Sequence, residues 1–254
     1  MLRCLFRMVD PVIVGCWAAR LARQPGRAAA ELSRRVSSLV PPTGPEVVAS
    51  FARGLVLFGR SATYGIGSGF EWCWFPVRAV ITPDTAKVPK NLRRVMRRGE
   101  LEARYDHDFE AIIQHCQNVH GHGWLTGPLV EVYREVHRMG FIATLGMYRD
   151  GRLVSGIWGV ELGRVFSAMS MFHLEDNAGA LLLGELATAV AERGRWAVVD
   201  FGALNPNFAR YGAREMPASQ FIEIIMCGLK ADRPAAAPNA PVPPASPVAA
   251  AAPR

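Results

Sequence analysis

Residues 141–172, FIATLGMYRDGRLVSGIWGVELGRVFSAMSMF, decide the fold. Residues 141–148 are apolar and partly β-branched, and Asp150-Gly151 is a strong short signal for a hairpin. Residues 153–160 follow as a second strand, with Gly156 and Gly159 inside it. Leu162-Gly163 turns the chain again, and residues 165–172 supply a third strand. A meander of this kind needs cover on at least one face, which flanking helices can give.

Helical patterns stand on both sides of it. Upstream, Thr126 is a cap for a helix over 128–139 that Gly140 stops, with Leu129, Val132, Tyr133 and Val136 inward. Asp108 caps another helix through Gln117, after a short strand over 101–105. Between these helices lies His120-Gly121-His122-Gly123. Its His-x-His spacing suits a metal, but no acid or cysteine is close in sequence, so a polar glycine loop is the better reading. Downstream, Asp176 and Asn177 are caps for a helix over 178–193 with a leucine-rich face. Residues 196–201 read as a buried strand closing on Asp200. A carboxylate there marks either chemistry or the start of a plain turn. Asn205-Pro206 predicts a turn, and 221–226 a final strand.

Toward the N-terminus, 24–39 reads as a helix that Pro41-Pro42 ends. Thr43, Pro45 and Glu46 open the next, which carries Val47, Val48, Phe51, Leu55 and Phe58. Residues 61–69 form a glycine- and serine-rich loop, and Pro76 separates two strands over 71–75 and 77–81. The apolar run at 8–19 is too short to span a bilayer, and Asp10-Pro11 interrupts it as a signal peptide. An amphipathic segment is the reading that remains. The alanine- and proline-rich stretch 231–254 cannot bury a core and is expected to be disordered.

The 254 residues are half apolar, enough for a real core. Five cysteines, spread out and without a C-x-x-C pair, point to thiols in a reducing compartment. The net charge of +7 favours a polyanionic partner. Its densest source is Lys87, Lys90, Arg93, Arg94, Arg97 and Arg98, with Leu92, Val95 and Met96 between them at helical spacing. One face is apolar and the other basic, which fits a solvated helix or a contact with RNA phosphates.

Taken in order, these phrases resemble the leucyl/phenylalanyl-tRNA–protein transferase family. The matching residues begin with Trp74-Phe75-Pro76, Arg78-Ala79-Val80, Leu92-Arg93-Arg94 and Arg97-Arg98. Gly123-Trp124-Leu125-Thr126, Tyr133, His137 and Gly140 come next, then Leu153-Val154-Ser155-Gly156 and Gly159-Val160. Gly163-Arg164-Val165-Phe166, Ser170-Met171-Phe172 and Asn177-Ala178 follow. The series closes with Asp200, Leu204-Asn205 and Gly212-Ala213-Arg214-Glu215-Met216-Pro217.

The resemblance implies an enzyme that moves leucine or phenylalanine from charged tRNA to the N-terminal amine of a protein and so marks it for degradation. It implies a mixed α/β (α+β) chain with an acetyltransferase-like domain of the Gcn5-related type over 106–230. A smaller α+β domain is expected over 45–105, an arm and helix over 1–44, and the tail over 231–254. No cofactor or metal is implied, and the expected state is a cytoplasmic monomer. Asp200 is the expected catalytic residue. Trp74, Phe166, Met169, Met171, Phe172 and Gly202 are expected at the aminoacyl pocket, and the six cations of 87–98 on tRNA.

The family pattern Asp-x-Gln reads Asp200-Phe201-Gly202 here, and Met169 stands where the family carries an acid. Ala143-Thr144-Leu145-Gly146, Gly179-Ala180 and Asn207 also replace polar family positions. These changes suit an enzyme with another acceptor, or a relative that keeps the fold without the catalysis. A coenzyme A acetyltransferase is the weaker reading, since Asn177-Ala178-Gly179-Ala180 holds only one glycine.

Overall fold

The computed structural model describes residues 35–60, 69–119 and 123–230. The arm before Arg35, the loop 61–68, the His120 and His122 spacing and the tail 231–254 lie outside the described residues.

The described residues begin with β1 (Arg35–Ser38), α1 (Gly44–Phe51), β2 (Leu55–Arg60), β3 (Gly69–Trp74) and β4 (Val77–Ile81). Then come α2 (Lys90–Met96), β5 (Glu102–Tyr105), α3 (Phe109–Val119) and α4 (Gly127–Arg138). The meander is β6 (Ile142–Arg149), β7 (Arg152–Leu162) and β8 (Val165–His173). It is followed by α5 (Ala178–Ala191), β9 (Val198–Asp200), α6 (Pro206–Ala209), β10 (Arg214–Pro217) and α7 (Ala218–Lys230).

Two sheets result. The small one has the order β1-β3-β2, and the large one β10-β4-β9-β8-β7-β6-β5. Pairing in the large sheet is antiparallel except between β8 and β9. Its side chains alternate between two cores. Val80, Trp158, Val165, Phe172 and Val198 face α1, α3, α4, α7 and the small sheet. Ile81, Ile157, Phe166 and Val199 face α2 and α5. Each fully buried large apolar side chain stabilises by roughly 1.5–3 kcal/mol. Helix α5 buries leucines in sequence, Leu181, Leu182 and Leu183, because α2 packs on it from the side away from the sheet.

Local chemistry accounts for the ends. Thr43 donates from both N and Oγ1 to Glu46 Oε2, at 2.9 and 3.0 Å, which opens α1. Asn205 Oδ1 accepts from Phe208 N at 2.9 Å and opens α6, a short helix where the sequence predicts a turn. Thr126 occupies the cap position of α4, but its hydroxyl makes no cap bond.

Four expectations are corrected. Residues 35–38 of the expected helix over 24–39 form β1, paired with β3. Leu55 and Phe58 lie in β2, because α1 ends at Phe51. The expected strand over 221–226 is part of α7. Ala218, Phe221 and Ile225 are its buried residues, at helical spacing that a short run of apolar residues does not distinguish from a strand. The boundary at 105 does not follow the sheets, since β4 and β5 are strands of the large sheet.

Candidate active site

Val80 pairs with Asp200 across β4 and β9, and Arg78 lies two residues before Val80 on the same face. Arg78 Nε donates to Asp200 Oδ1 at 3.1 Å, and Arg78 Nη2 donates to Asp200 Oδ2. Arg78 Nη1 reaches the Gly54 carbonyl at 3.5 Å. Its guanidinium lies 5.0 Å from the Phe221 ring centroid and 5.6 Å from that of Phe75. Asp200 Oδ1 also accepts from Gly202 N at 2.9 Å. Gly202 has φ +74, a conformation that suits glycine, and a Cβ there would meet nothing within 4 Å. Asp200 is 1 % exposed and Arg78 2 %. Three donors thus occupy three of the roughly four acceptor sites of the carboxylate. The remaining site is on Oδ2.

Beside this pair the sheet opens. Strands β8 and β9 are in register only at Val165–Val198, Phe166–Val199 and Ser167–Asp200, while β8 runs on to His173. On its other edge Trp158 faces Ser170 and Gly159 faces Ala168, so Met169 is the extra residue of a bulge. The bulge falls where β8 leaves β9. Met169 packs on the core that also holds Val80, and Met171 on the opposite one.

Of the other expected pocket residues, Phe172 is buried on the Met169 side with His115 stacked on it at 4.6 Å. Trp74 ends β3 near Gly54, the residue whose carbonyl Arg78 reaches. Phe166 is completely buried and stacks on Trp196 at 4.7 Å, in the core that faces α5. It supports β8 from behind.

The geometry adds residues that the sequence reading did not assign. Phe58 lies 6.5 Å from Phe75 and 5.4 Å from Trp124, both edge-on, and all three rings are half-buried. Phe75, Arg78 and Asp200 are therefore linked to a row of partly open aromatic faces. Arg78, Phe75 and Trp124 stand within quoted phrases, but nothing local in the sequence shows that they converge.

Lys87, Lys90, Arg93, Arg94, Arg97 and Arg98 are all exposed, around the buried Leu92. Only Arg98 has an acid near it among the described residues, Glu100 at 3.8 Å. Helix α2 lies against α5, with Leu92 and Met96 close to Gly184. Lys87 N donates to the Tyr211 carbonyl at 3.0 Å, which ties the basic segment to the loop that follows Asp200. No group of three or more His, Cys, Asp or Glu among the described residues is arranged to hold a metal. Burial pushes the Cys116 thiol up to about 11, so it is an inert core thiol.

A bulged strand parting from its parallel neighbour, with a buried ion pair at the fork, defines the site of a mixed α/β protein. Residues 80–226 match the family described as leucyl/phenylalanyl-tRNA protein transferase, and the chain belongs to that family. The protein of that name from Rubrobacter xylanophilus is 34% identical over 157 residues, 61% of this chain and 81% of the relative. The one from Myxococcus xanthus is 30% identical over 190 residues, 72% of this chain and 78% of the relative. Among solved structures, a GCN5-related N-acetyltransferase from Kribbella flavida is similar at a TM-score of 0.36 and 15% identity. That match covers 82% of this chain and 73% of the other.

Proposed function

We propose that this protein is an aminoacyltransferase that moves leucine or phenylalanine from charged tRNA to the N-terminal amine of an acceptor protein. The observation that carries this reading is the family match over 80–226, which contains Asp200 and the whole opened edge of β8. The amine attacks the ester carbonyl, a carbon–nitrogen bond forms, and the carbon–oxygen bond to the terminal ribose breaks. The amine loses a proton and the ribose hydroxyl gains one. Positioning and proton removal supply most of what such aminolysis needs.

In this reading Met169 and Phe172 offer the apolar wall for the transferred side chain, with Trp74 and Gly202 at its margins, while Met171 stands on the opposite face of β8. Phe58, Phe75 and Trp124 offer faces for the terminal base. The free acceptor site of Asp200 Oδ2 takes the amine proton, directly or through a water. Arg78 holds the carboxylate and is a positioning residue. The exposed cations of 87–98 track phosphates. Met169 in place of the family's acid selects an acceptor with an apolar first residue, because a buried cation there would lack a partner. The protein works as a cytoplasmic monomer, where charged tRNA and tagged proteins are found. No helix among the described residues is long and apolar enough to cross a membrane.

The test is transfer of labelled leucine from charged tRNA to peptides that differ in their first residue. Transfer by the parent protein, lost by orders of magnitude in Asp200→Asn at unchanged melting temperature, supports the reading. Full transfer by Asp200→Asn removes Asp200 from the chemistry. Absence of transfer to every peptide leaves the parent without this activity.

A further inference from the structure

The strand that ends at Asp200 leads straight into a pair of rings. Phe201 and Phe208 are stacked face to face, with centroids 4.2 Å apart and planes 16° from parallel. Both are half-buried, and both pack on the core that faces α5, together with Ala168, Met171 and Ala180. The Asp200 carboxylate lies on the other face, toward Arg78 and Val80. The ring pair and the ion pair therefore flank the gap between β8 and β9 from opposite faces of the sheet.

The pair is built firmly. Asn205 caps α6 beneath Phe208, and the Phe208 carbonyl accepts from Tyr211 N at 3.0 Å and Ala213 N at 3.2 Å. Phe201 N donates to the Ala79 carbonyl at 2.8 Å. Gly202 between them leaves open space where a side chain would stand. The segment from Phe201 to Arg214 contains no acid, and Arg210 is exposed within it. Through the Lys87–Tyr211 bond the same segment adjoins Lys87 and Lys90, where the basic face of α2 begins.

We propose that Phe201 and Phe208 form a stacking platform for the unpaired 3′ nucleotides of RNA that precede the terminal base and run from the basic face of α2 toward the site at Asp200. This deepens the tRNA reading and rests on it. The charge argues for RNA: the segment that carries the pair has no acid, holds the exposed Arg210, and adjoins the basic face of α2 through the Lys87–Tyr211 bond. The chemistry agrees, because base stacking on aromatic rings tolerates any sequence and needs only an open face beside cations.

The experiment compares dissociation constants for uncharged tRNA and for the same tRNA shortened by its unpaired 3′ nucleotides. Both are measured on the parent and on the Phe201→Leu/Phe208→Leu protein. Leucine keeps the apolar packing, and the melting temperature verifies that the fold is retained. Stacking of one base on a ring is worth about fivefold to a hundredfold in affinity. The parent should prefer intact tRNA by at least a factor in that range, and the variant should lose the part of that preference that the platform supplies, severalfold or more, while binding shortened tRNA as the parent does. An undiminished preference in the variant, or none in the parent, overturns the platform and leaves the tRNA reading standing. A variant that changes only the KM for acceptor peptide assigns the rings to the acceptor and overturns it as well. A parent that binds neither RNA removes the tRNA reading together with the platform.

Discussion

Arg78 and Asp200, 122 positions apart, meet as a two-pronged ion pair with both side chains shut away from water. Removing one partner of such a pair costs about 3–5 kcal/mol, because the other charge stays buried alone. Arg78→Met should therefore lower the urea midpoint strongly. Arg78→Met with Asp200→Leu should recover part of the loss, since two apolar residues leave no orphan charge. A double variant less stable than Arg78→Met would show that the pair is not what these side chains contribute.

On α2, Arg94 and Arg97 project into solvent with no acid partner among the described residues. Arg94→Glu with Arg97→Glu should weaken tRNA binding and flatten the dependence of its affinity on salt, by close to one unit of slope for each lost phosphate contact. Binding titrations at three salt concentrations measure this. Unchanged affinity and slope would make the face a merely solvated one.

Met169 bulges from β8 at the point where the sheet opens. Met169→Glu places an acid there and should shift acceptor preference from apolar first residues toward lysine and arginine. Competition between two peptides in one transfer assay reads the ratio. An unchanged ratio would place acceptor choice elsewhere.

Alkaline stability follows from two buried acids. Cys116 is raised to about 11 by burial, and Tyr133, fully buried and donating to the Leu57 carbonyl at 2.7 Å, is raised above its usual value. The folded chain then keeps protons that the unfolded chain releases once the pH passes the ordinary thiol value near 9. Stability should fall from there upward. Cys116→Ala should make the decline shallower between pH 9 and 11, as read from urea midpoints at each pH.

Much of the fold was legible where local chemistry decided it. Asp150-Gly151 and Leu162-Gly163 set the ends of β6, β7 and β8, and Pro76 parted β3 from β4. Residues 221–226 read as a strand because Phe221, Ile222, Ile224 and Ile225 favour one locally, whereas burial of Phe221 and Ile225 against the sheet selects the helix. The site was legible in part. Asp200 stood out as an acid at the end of an apolar strand, but its partner lies on a strand 122 positions before it. Phe201 reads as the last residue of a strand and Phe208 follows a turn, and nothing local in the sequence brings their rings together.

The strand order β10-β4-β9 also has a consequence for biosynthesis. As the chain leaves the ribosome, β4 emerges early, and both strands that will hold it are still unmade. Its Ala79, Val80 and Ile81 wait as an unpaired apolar edge until β9 and β10 have followed. The meander can close first, from neighbours in sequence, while the insertion of β4 comes at the end. Arg78 then reaches Asp200 only in a finished chain, so a nascent one has a sheet but no site.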